Sequence, residues 1–345
     1  MQNPFTLTFG KSPLEPVERP VQTKEIIDTF TAEQINQQMF IITGVRGSGK
    51  TVMMTEISQK LRENDQWIVI ELNPATDLLK GLLSKLNSNK VCAGIIKSSK
   101  IDLSFFGFGV AVEGATPITD TETAIIKILE KLQKSEKRLL VTIDEMTNSE
   151  SMKVFAGAFQ IFVRQELPVF LLGTGLYENI EELQNEKSLT FLYRAPKIQL
   201  KPLNNGAIIN KYKTIFNISQ EQASQMAQLT KGYPFAFQVL GYLTWNNSGD
   251  YHAVLGEYAQ YLSEFVYDKI WSELSPKDRA VARAIADVKS GKIKDIREQL
   301  GMETNEFNPY RKRLIKKGIV SGEMRGYVYF TLPLFDEYVI ENYEY

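Results

Sequence analysis

The stretch Gly44-Val45-Arg46-Gly47-Ser48-Gly49-Lys50-Thr51 fits the phosphate-loop pattern G-x-x-x-x-G-K-[ST] at every specified position. The apolar run Met39-Phe40-Ile41-Ile42-Thr43 precedes it and predicts a buried strand, and residues 52–61 after it predict a helix. This strand–loop–helix order is the context that the pattern requires. Glycines let successive backbone N–H groups turn inward on phosphates, and the following helix presents its positive end to them.

These residues predict a site for ATP or ADP with Mg²⁺. Lys50 is expected to reach the β- and γ-phosphates, and the Thr51 hydroxyl is expected to bind Mg²⁺, which keeps most of its ligands as water and phosphate oxygen. The alternative is a glycine-rich turn with an incidental lysine. It is disfavoured because the second half of a nucleotide-hydrolysing site, described below, follows later in the chain. The nucleotide-binding set in this stretch is Gly44, Val45, Arg46, Gly47, Ser48, Gly49, Lys50, Thr51 and Val52.

Length and composition bound the remaining possibilities. A chain of 345 residues predicts two or three domains, and 40 Lys+Arg against 41 Asp+Glu give a net charge of −1 that does not by itself indicate nucleic acid. With one cysteine, Cys92, and one histidine, His252, the chain has no internal disulfide, and a His/Cys metal site or a Ser-His-Asp triad is disfavoured. No leader or membrane-length apolar run is present, so we expect a cytoplasmic protein without membrane contact.

The N-terminal segment is expected to act as an arm. Residues 1–20 hold four prolines and little periodicity, so they should run extended over the surface of the domain that follows, anchored by their aromatic residues. Residues 21–30 predict a short amphipathic helix ahead of the first strand. Such a helix either closes over the nucleotide base or only packs on the sheet, and the sequence leaves both roles open.

Alternating strand and helix patterns predict a parallel sheet with helices on both faces. Residues 67–72 predict a strand, and residues 75–86 a helix with Pro74 near its start. Residues 100–105 and 108–113 alternate in polarity around a glycine-containing turn, which predicts a β-hairpin insertion at about 100–113. Its phenylalanines are expected to pack on the domain or to be covered in an oligomer rather than to form a partner surface.

A second key stretch is Leu139-Leu140-Val141-Thr142-Ile143-Asp144-Glu145, an apolar strand that ends in two carboxylates. Ligands bind at the carboxyl ends of strands in open α/β sheets, so we expect both side chains to act on the nucleotide. Asp144 is predicted to hold Mg²⁺ through water, and Glu145 to polarise the water that attacks the γ-phosphate. A solvated Asp-Glu pair alone would mean little, but here it follows an intact phosphate loop.

Two later residues are further candidates for catalysis. Thr174 ends the strand predicted at residues 168–173 and is expected to sense the γ-phosphate or its water, unless Gly173-Thr174-Gly175 is simply a turn. Arg194 lies just ahead of the last strand, at residues 197–200. It either stabilises transition-state charge in a neighbouring subunit as an arginine finger or pairs with a nearby acid.

In order along the chain, these motifs resemble those of the AAA+ P-loop ATPases, near the origin-recognition-type initiators and the signal-transduction ATPases with numerous domains. The resemblance covers nearly the whole chain and adds Asn3-Pro4-Phe5, Phe9-Gly10, residues 170–176 (FLLGTGL), residues 193–203 (YRAPKIQLKPL) and residues 230–234 (TKGYP). It implies that Gly232 and Pro234 form a lid motif in place of a sensor arginine, which favours a slow nucleotide switch. Glu18-Arg19 stands where relatives often have Gly-Arg, so the adenine contacts stay open.

The C-terminal half predicts two helical domains. Residues 204–271 read as a helical lid, including one helix over residues 251–270, and residues 272–345 as three helices plus a hairpin, the pattern of a winged helix. Residues 289–325 contain ten basic and five acidic residues, which supports contact with DNA phosphates, although many winged helices bind proteins instead. The candidate DNA contacts are Arg311, Lys312, Arg313, Lys316 and Arg325.

The sequence therefore predicts domains at residues 1–20, 21–203, 204–271 and 272–345, forming an ATPase domain, a lid and a winged helix behind an N-terminal arm. The expected function is that of a slow ATPase that acts as a nucleotide-dependent switch on double-stranded DNA. The alternative is a regulatory scaffold that binds a protein partner and uses ATP as a structural or switching ligand. A homo-oligomer in the ATP state is left open, and a small-molecule kinase is disfavoured because it would have no use for the lid and winged helix.

Overall fold

The computed structural model describes residues 2–8, 13–108 and 117–343. The chain forms two compact units. The sheet unit consists of Pro20–Thr43 and Met53–Gln199, and the C-terminal unit consists of Met1–Arg19, Gly44–Val52 and Leu200–Tyr345. The phosphate-loop stretch therefore groups with the C-terminal unit, although the strand that precedes it belongs to the sheet unit.

The sheet unit is built on parallel strands whose register aligns their carboxyl ends. The strands are β1 (Met39–Thr43), β2 (Trp67–Leu72), β3 (Arg138–Ile143), β4 (Val169–Gly175) and β5 (Lys197–Gln199). Across the sheet the order is β2-β3-β4-β1-β5 in the described part of the chain. Ile143 of β3 pairs with Gly173 of β4, and Thr43 of β1 pairs with Gly175 of β4, so these three strands end at the same edge.

Helices connect these strands. The α-helices of this part of the chain are α1 (Pro20–Thr31), α2 (Lys50–Arg62), α3 (Leu78–Ser88), α4 (Lys90–Ser98), α5 (Thr121–Lys134), α6 (Glu150–Arg164) and α7 (Tyr177–Gln184). Two 3₁₀ helices are also present: Ser104–Phe106 lies between α4 and α5, and Lys187–Arg194 lies between α7 and β5. Because parallel strands need crossover connections, this alternation follows from the parallel pairing.

Both faces of the sheet are buried, which explains why its strands read as continuous apolar runs. Alternate residues of β1 to β4 point to one face, where they form a hydrophobic core with the apolar sides of α3 to α6. On the opposite face, the rings of Phe40, Trp67 and Phe170 contact Phe30 of α1, with ring centroids 5.5, 6.4 and 5.2 Å apart. Helices on both faces of a parallel sheet are the arrangement that the sequence predicted.

Helix α3 begins at Leu78, three residues later than the sequence predicted from Pro74. The Asp77 carboxylate caps it by accepting a hydrogen bond from the N–H of Lys80 at 3.1 Å. A capping carboxylate satisfies one of the N–H groups that a helix end leaves without a partner, and so it fixes the first turn. The cap, rather than the proline, therefore sets the start of the helix.

The predicted hairpin insertion at 100–113 does not begin with a strand. Helix α4 precedes it and buries Cys92 and Ile96, which are four residues apart on one helix face, and burial raises the pKa of the Cys92 thiol to about 11. The Asp102 carboxylate then accepts from the N–H of Ser104 at 2.9 Å, where a 3₁₀ helix starts. Such a local bond competes with strand pairing. Residues 109–113, most of the second arm, lie outside the described residues.

The C-terminal unit is mainly helical. Its helices and strands are α8 (Asn205–Phe216), α9 (Gln220–Thr230), α10 (Pro234–Asn246), α11 (Leu255–Leu262), α12 (Asp268–Ser272), α13 (Pro276–Asp287), α14 (Ile293–Leu300), α15 (Thr304–Lys316), β6 (Val320–Ser321), β7 (Tyr329–Phe330) and α16 (Phe335–Asn342). A π-helical segment, Ser263–Tyr267, joins α11 to α12 where one uninterrupted helix was predicted. The two short strands pair antiparallel. A division into lid and winged helix stays a prediction.

The described residues of the N-terminal arm pack within the C-terminal unit, where Phe5 and Thr6 contact α8 and α10, whereas the sequence predicted packing on the domain that follows. The ring of Phe5 stacks on Phe216 with centroids 5.7 Å apart, and the N–H of Thr6 donates to Gln238 at 3.0 Å. A Cβ at Gly241 would lie 2.3 Å from the Phe5 ring, so the Phe5 ring packs on α10 at a position that has no side chain. The aromatic anchor was predicted correctly but its target was not. Phe9 and Gly10 lie outside the described residues.

Among the residues that the structure describes, no helix combines the length and the apolar character needed to cross a membrane.

Candidate nucleotide site

The phosphate loop has the curled backbone that its glycines predict. Gly47 and Gly49 have φ of +74° and +87°, in the left-handed region that favours glycine. Lys50 is the first residue of α2, and its Nζ donates to the carbonyl oxygens of Gly44 and Val45 at 3.1 Å each. The ammonium group therefore lies against the loop, at the amino end of a 13-residue helix.

The loop residues fit a bound phosphate group. The Ser48 side chain is buried, and its Oγ has no hydrogen-bond partner within the described part of the chain. A buried hydroxyl without a partner costs about 1–3 kcal/mol, and a phosphate oxygen is one acceptor that would satisfy it. Thr51, which follows Lys50, also carries a hydroxyl oxygen, the type of ligand that Mg²⁺ prefers. The loop residues thus have the chemistry that a phosphate group and its cation need.

In the sheet unit, Asp144, Glu145 and Thr174 come together at the carboxyl edge. The Thr174 hydroxyl donates to Asp144 Oδ1 and accepts a hydrogen bond from the Glu145 N–H at 3.1 Å. The Glu145 N–H also lies 3.1 Å from Asp144 Oδ1. Since Thr174 is fully buried, its hydroxyl fixes both carboxylate residues from inside the sheet. Thr43, the last residue of β1, pairs with Gly175 at this same edge.

Glu145 adopts an unusual backbone conformation. Its φ is +53°, in the left-handed region, while its side chain is exposed. A non-glycine residue in a sparsely populated backbone region costs of order 1–3 kcal/mol and is frequent at active sites. The hydrogen bond from its N–H to Thr174 helps to hold this conformation. The strain falls on the residue that the sequence predicts to be the general base.

The glycines beside Thr174 are needed for close packing rather than for a turn. A Cβ at Gly173 would lie 2.0 Å from Sδ of Met146, and one at Gly175 would lie 2.6 Å from Cδ1 of Ile180. Strand β4 continues through Gly175, and the carbonyl of Thr174 accepts from the Met146 N–H at 2.7 Å. The segment after Glu145 therefore lies against β4, which places Thr174 beside the carboxylates.

The predicted lid motif lies against the phosphate loop within the C-terminal unit. Pro234 begins α10, and a Cβ at Gly49 would be 3.9 Å from its Cβ. Gly232 has φ of +73°, and a Cβ there would lie 2.8 Å from the carbonyl oxygen of Leu203. Between them, the Tyr233 hydroxyl donates to the carbonyl oxygen of Arg46 at 2.6 Å. The sequence analysis included Tyr233 in the TKGYP stretch but did not predict its contact with the loop, because no spacing rule connects the two.

Arg194 is the last residue of the second 3₁₀ helix, and its side chain is exposed. No ion pair involves it within residues 13–108 and 117–343. The alternative in which it pairs with a nearby acid of its own chain is therefore not seen there.

The five candidate DNA contacts differ in their surroundings. Lys312, Arg313, Lys316 and Arg325 are exposed, and Arg311 is half-buried. Arg313 Nε lies 2.8 and 3.0 Å from the two carboxylate oxygens of Asp278, a buried residue in the first turn of α13. The Arg311 guanidinium packs at the β6–β7 connection, where a Cβ at Gly322 would be 2.6 Å from its Nη2. Arg313 and Arg311 therefore have roles in packing that sequence analysis did not foresee.

Two family models match parts of the chain. One, described as a domain of unknown function (DUF8462), covers residues 264–339, and the other, described as mitochondrial ribosomal death-associated protein 3, covers residues 21–91. Each match spans less than half of the chain, so neither assigns the whole chain to a family. A comparison with curated proteins found no match.

Solved structures share the fold over nearly the whole chain. The Walker-type ATPase PABY2304 of Pyrococcus abyssi has a TM-score of 0.68 at 16% identity, covering 98% of this chain and 99% of that chain. The ORC2 protein of Aeropyrum pernix, in its ADPNP–ADP complexes, has a TM-score of 0.62 at 14% identity, covering 97% and 95%. At such identities the likeness establishes the fold. The chain has the AAA+ P-loop ATPase fold that its sequence predicted.

Replacing Thr174 by valine tests the hydroxyl that holds the two carboxylate residues. Thr174→Val keeps the shape but leaves Asp144 and the Glu145 N–H without this partner, so we expect the free energy of unfolding to fall by about 1–3 kcal/mol. Urea unfolding measures this effect.

Thr43→Val is the matched control. Thr43 Oγ1 is equally buried at the carboxyl end of β1 but has no hydrogen-bond partner among the described residues. Its removal should leave the free energy of unfolding unchanged or raise it. Equal destabilisation by both substitutions would contradict the role given to Thr174.

Proposed function

We propose that this chain binds ATP with Mg²⁺ and hydrolyses it slowly to ADP and phosphate, as a nucleotide-dependent switch. The main support is local geometry at the two halves of the site. The loop after β1 combines left-handed glycines with Lys50, and the edge at which β1 ends carries Asp144, Glu145 and Thr174. The AAA+ P-loop ATPase fold is compatible with this activity, but folds host many functions, so the proposal rests on the site.

Each group has a defined role in the proposed reaction. The loop N–H groups and Lys50 bind the β- and γ-phosphates. The Glu145 carboxylate takes a proton from water as the water oxygen bonds to the γ-phosphorus and the bond to the bridging oxygen breaks, which releases ADP. Thr174 keeps Glu145 and Asp144 in position. Thr51 and Asp144 would hold Mg²⁺, which when bound neutralises charge on the phosphate oxygens.

Substitutions at Lys50 and Glu145 separate binding from hydrolysis. Lys50→Ala removes the cation that contacts the phosphates, so ATP binding by calorimetry should weaken at least tenfold. Glu145→Gln removes the base but keeps the shape, so ATP should still bind while hydrolysis falls at least a hundredfold. Wild-type affinity in Lys50→Ala would refute the phosphate-loop assignment. Unchanged turnover in Glu145→Gln would refute the assignment of the base.

The exposed position of Arg194 suits a finger that acts on a neighbouring subunit. An arginine supplied to a phosphoryl-transfer site from another molecule stabilises transition-state charge. We therefore expect hydrolysis per protomer to rise with protein concentration in the wild type and to stay low at every concentration in Arg194→Ala. A wild-type rate that is independent of concentration would contradict the finger role, as would normal turnover in the variant.

We further propose that residues 204–271 act as the lid and residues 272–345 as a winged helix that binds DNA. Three helices, α13 to α15, precede the antiparallel pair β6–β7, which is the element order of a winged helix. Lys312 and Lys316 on α15 and Arg325 between the strands are exposed, and residues 289–325 carry more basic than acidic side chains. These charges favour DNA phosphates as the ligand. The nucleotide state would set the DNA affinity.

Fluorescence anisotropy of a labelled DNA duplex tests this proposal, at two salt concentrations and with either ADP or a non-hydrolysable ATP analogue. Binding should weaken with salt and differ between nucleotides. Lys312→Ala/Lys316→Ala should lower the salt slope by about one for each phosphate that is no longer neutralised. Lys213→Ala, which removes an exposed lysine from α8, is the control. Arg313→Ala is unsuitable because it would leave the buried Asp278 without its cation.

Absence of DNA binding in either nucleotide state would overturn the DNA proposal and favour the alternative, a scaffold whose C-terminal domain binds a protein.

A further inference from the structure

The phosphate loop belongs to the C-terminal unit and contacts other residues of that unit. Tyr233 is almost fully buried, and its hydroxyl donates to the carbonyl oxygen of Arg46 at 2.6 Å. Burial raises the pKa of the Tyr233 phenol well above its ordinary value, so the hydroxyl stays protonated at neutral pH. It is therefore a permanent donor to the backbone in the middle of the loop.

Gly47 is fitted to this tyrosine. A Cβ at Gly47 would lie 2.2 Å from the Tyr233 Oη and 3.1 Å from the Cβ of Phe235, so a larger residue would collide with the start of α10. The phosphate-loop pattern leaves this position open. Two constraints therefore explain the glycine at position 47: its positive φ and the close approach of the Tyr233 ring.

Two more contacts hold the same part of the loop. Arg46 Nη2 lies 3.3 Å from Glu273 Oε1, and both side chains are about two-thirds buried. Val45 lies against the turn after α15, where a Cβ at Gly318 would be 3.3 Å from its Cβ. Residues 45–47 thus contact three separate parts of the C-terminal unit, and among these contacts it is the Tyr233 hydroxyl that bonds to the loop backbone directly.

We propose that Tyr233 is a positioning residue for nucleotide binding. The Arg46 carbonyl and the Gly47 N–H belong to one planar peptide, so a hydrogen bond that fixes the carbonyl also fixes the direction of the N–H. N–H groups of the loop are the donors that a phosphate needs, and a loop held in place before binding loses less entropy when the ligand arrives. The inference rests on the proposed function, because it concerns the affinity of the same site.

Tyr233→Phe tests the inference because it removes one oxygen and keeps the ring. The affinity for ATP, measured by calorimetry, should fall about five- to tenfold, the range expected for losing one hydrogen bond that organises a site. Tyr212→Phe is the matched control. Tyr212 is fully buried in the same unit, and its hydroxyl donates to the carbonyl of Phe237 at 2.9 Å instead of to the loop.

Both variants should lose similar thermal stability without nucleotide, since each loses one buried phenol–carbonyl bond. Only Tyr233→Phe should bind ATP more weakly and show a smaller ATP-induced rise in Tm. Wild-type affinity in Tyr233→Phe, or equal weakening in both variants, would overturn the positioning role while leaving ATP binding intact. A wild-type protein that does not bind ATP would instead refute the proposed function, and the inference with it.

Discussion

Parallel hydrogen bonding between β3, β4 and β1 is the constraint on which the sheet-unit part of the candidate site depends. Because these strands run in the same direction and in the order β3-β4-β1, their carboxyl ends share one edge. The Asp144-Glu145 pair leaves the sheet after β3, and the phosphate-loop sequence follows β1 in the chain. Thr174 stands on the strand between them, which explains why its hydroxyl can hold the carboxylate pair.

Unusual backbone conformations are found at several of the candidate site residues. Gly47 and Gly49 take up positive φ without a Cβ penalty, whereas Glu145 does so at a cost. The cost is offset by the buried Thr174, which accepts from the Glu145 N–H, and by the packing of Met146 against the glycines of β4. The position of the Glu145 carboxylate therefore follows from the backbone conformation of Glu145 and from its hydrogen bond to Thr174.

In the C-terminal unit, some charged side chains form ion pairs that connect separate elements. Arg313 pairs with the buried Asp278 and so connects α15 to the first turn of α13, and Arg46 pairs with Glu273 beside the loop. Removing Arg313 would be costly because the buried carboxylate of Asp278 would be left without compensation. The basic residues of α15 therefore do not all serve one purpose, since Arg313 also neutralises the buried Asp278 carboxylate.

The sequence by itself determined the elements that depend on local patterns. Strands buried on both faces read as apolar runs, the phosphate loop has a fixed spacing, and the amphipathic helices α5 and α6 repeat their apolar residues every three or four positions. Where two local signals competed, the prediction was less accurate. At Asp77 and Asp102, a hydrogen bond between residues close in sequence determined the backbone instead of the helix or strand pattern that was predicted there.

Only the tertiary structure decided which polar groups meet across the chain. Thr174 and Asp144 are 30 residues apart, Arg313 and Asp278 are 35 apart, and Tyr233 and Arg46 are 187 apart. The docking of the N-terminal arm on α8 and α10 is of the same kind. No periodicity relates such residues, because their contact is set by how whole elements pack and not by the spacing of one helix or strand.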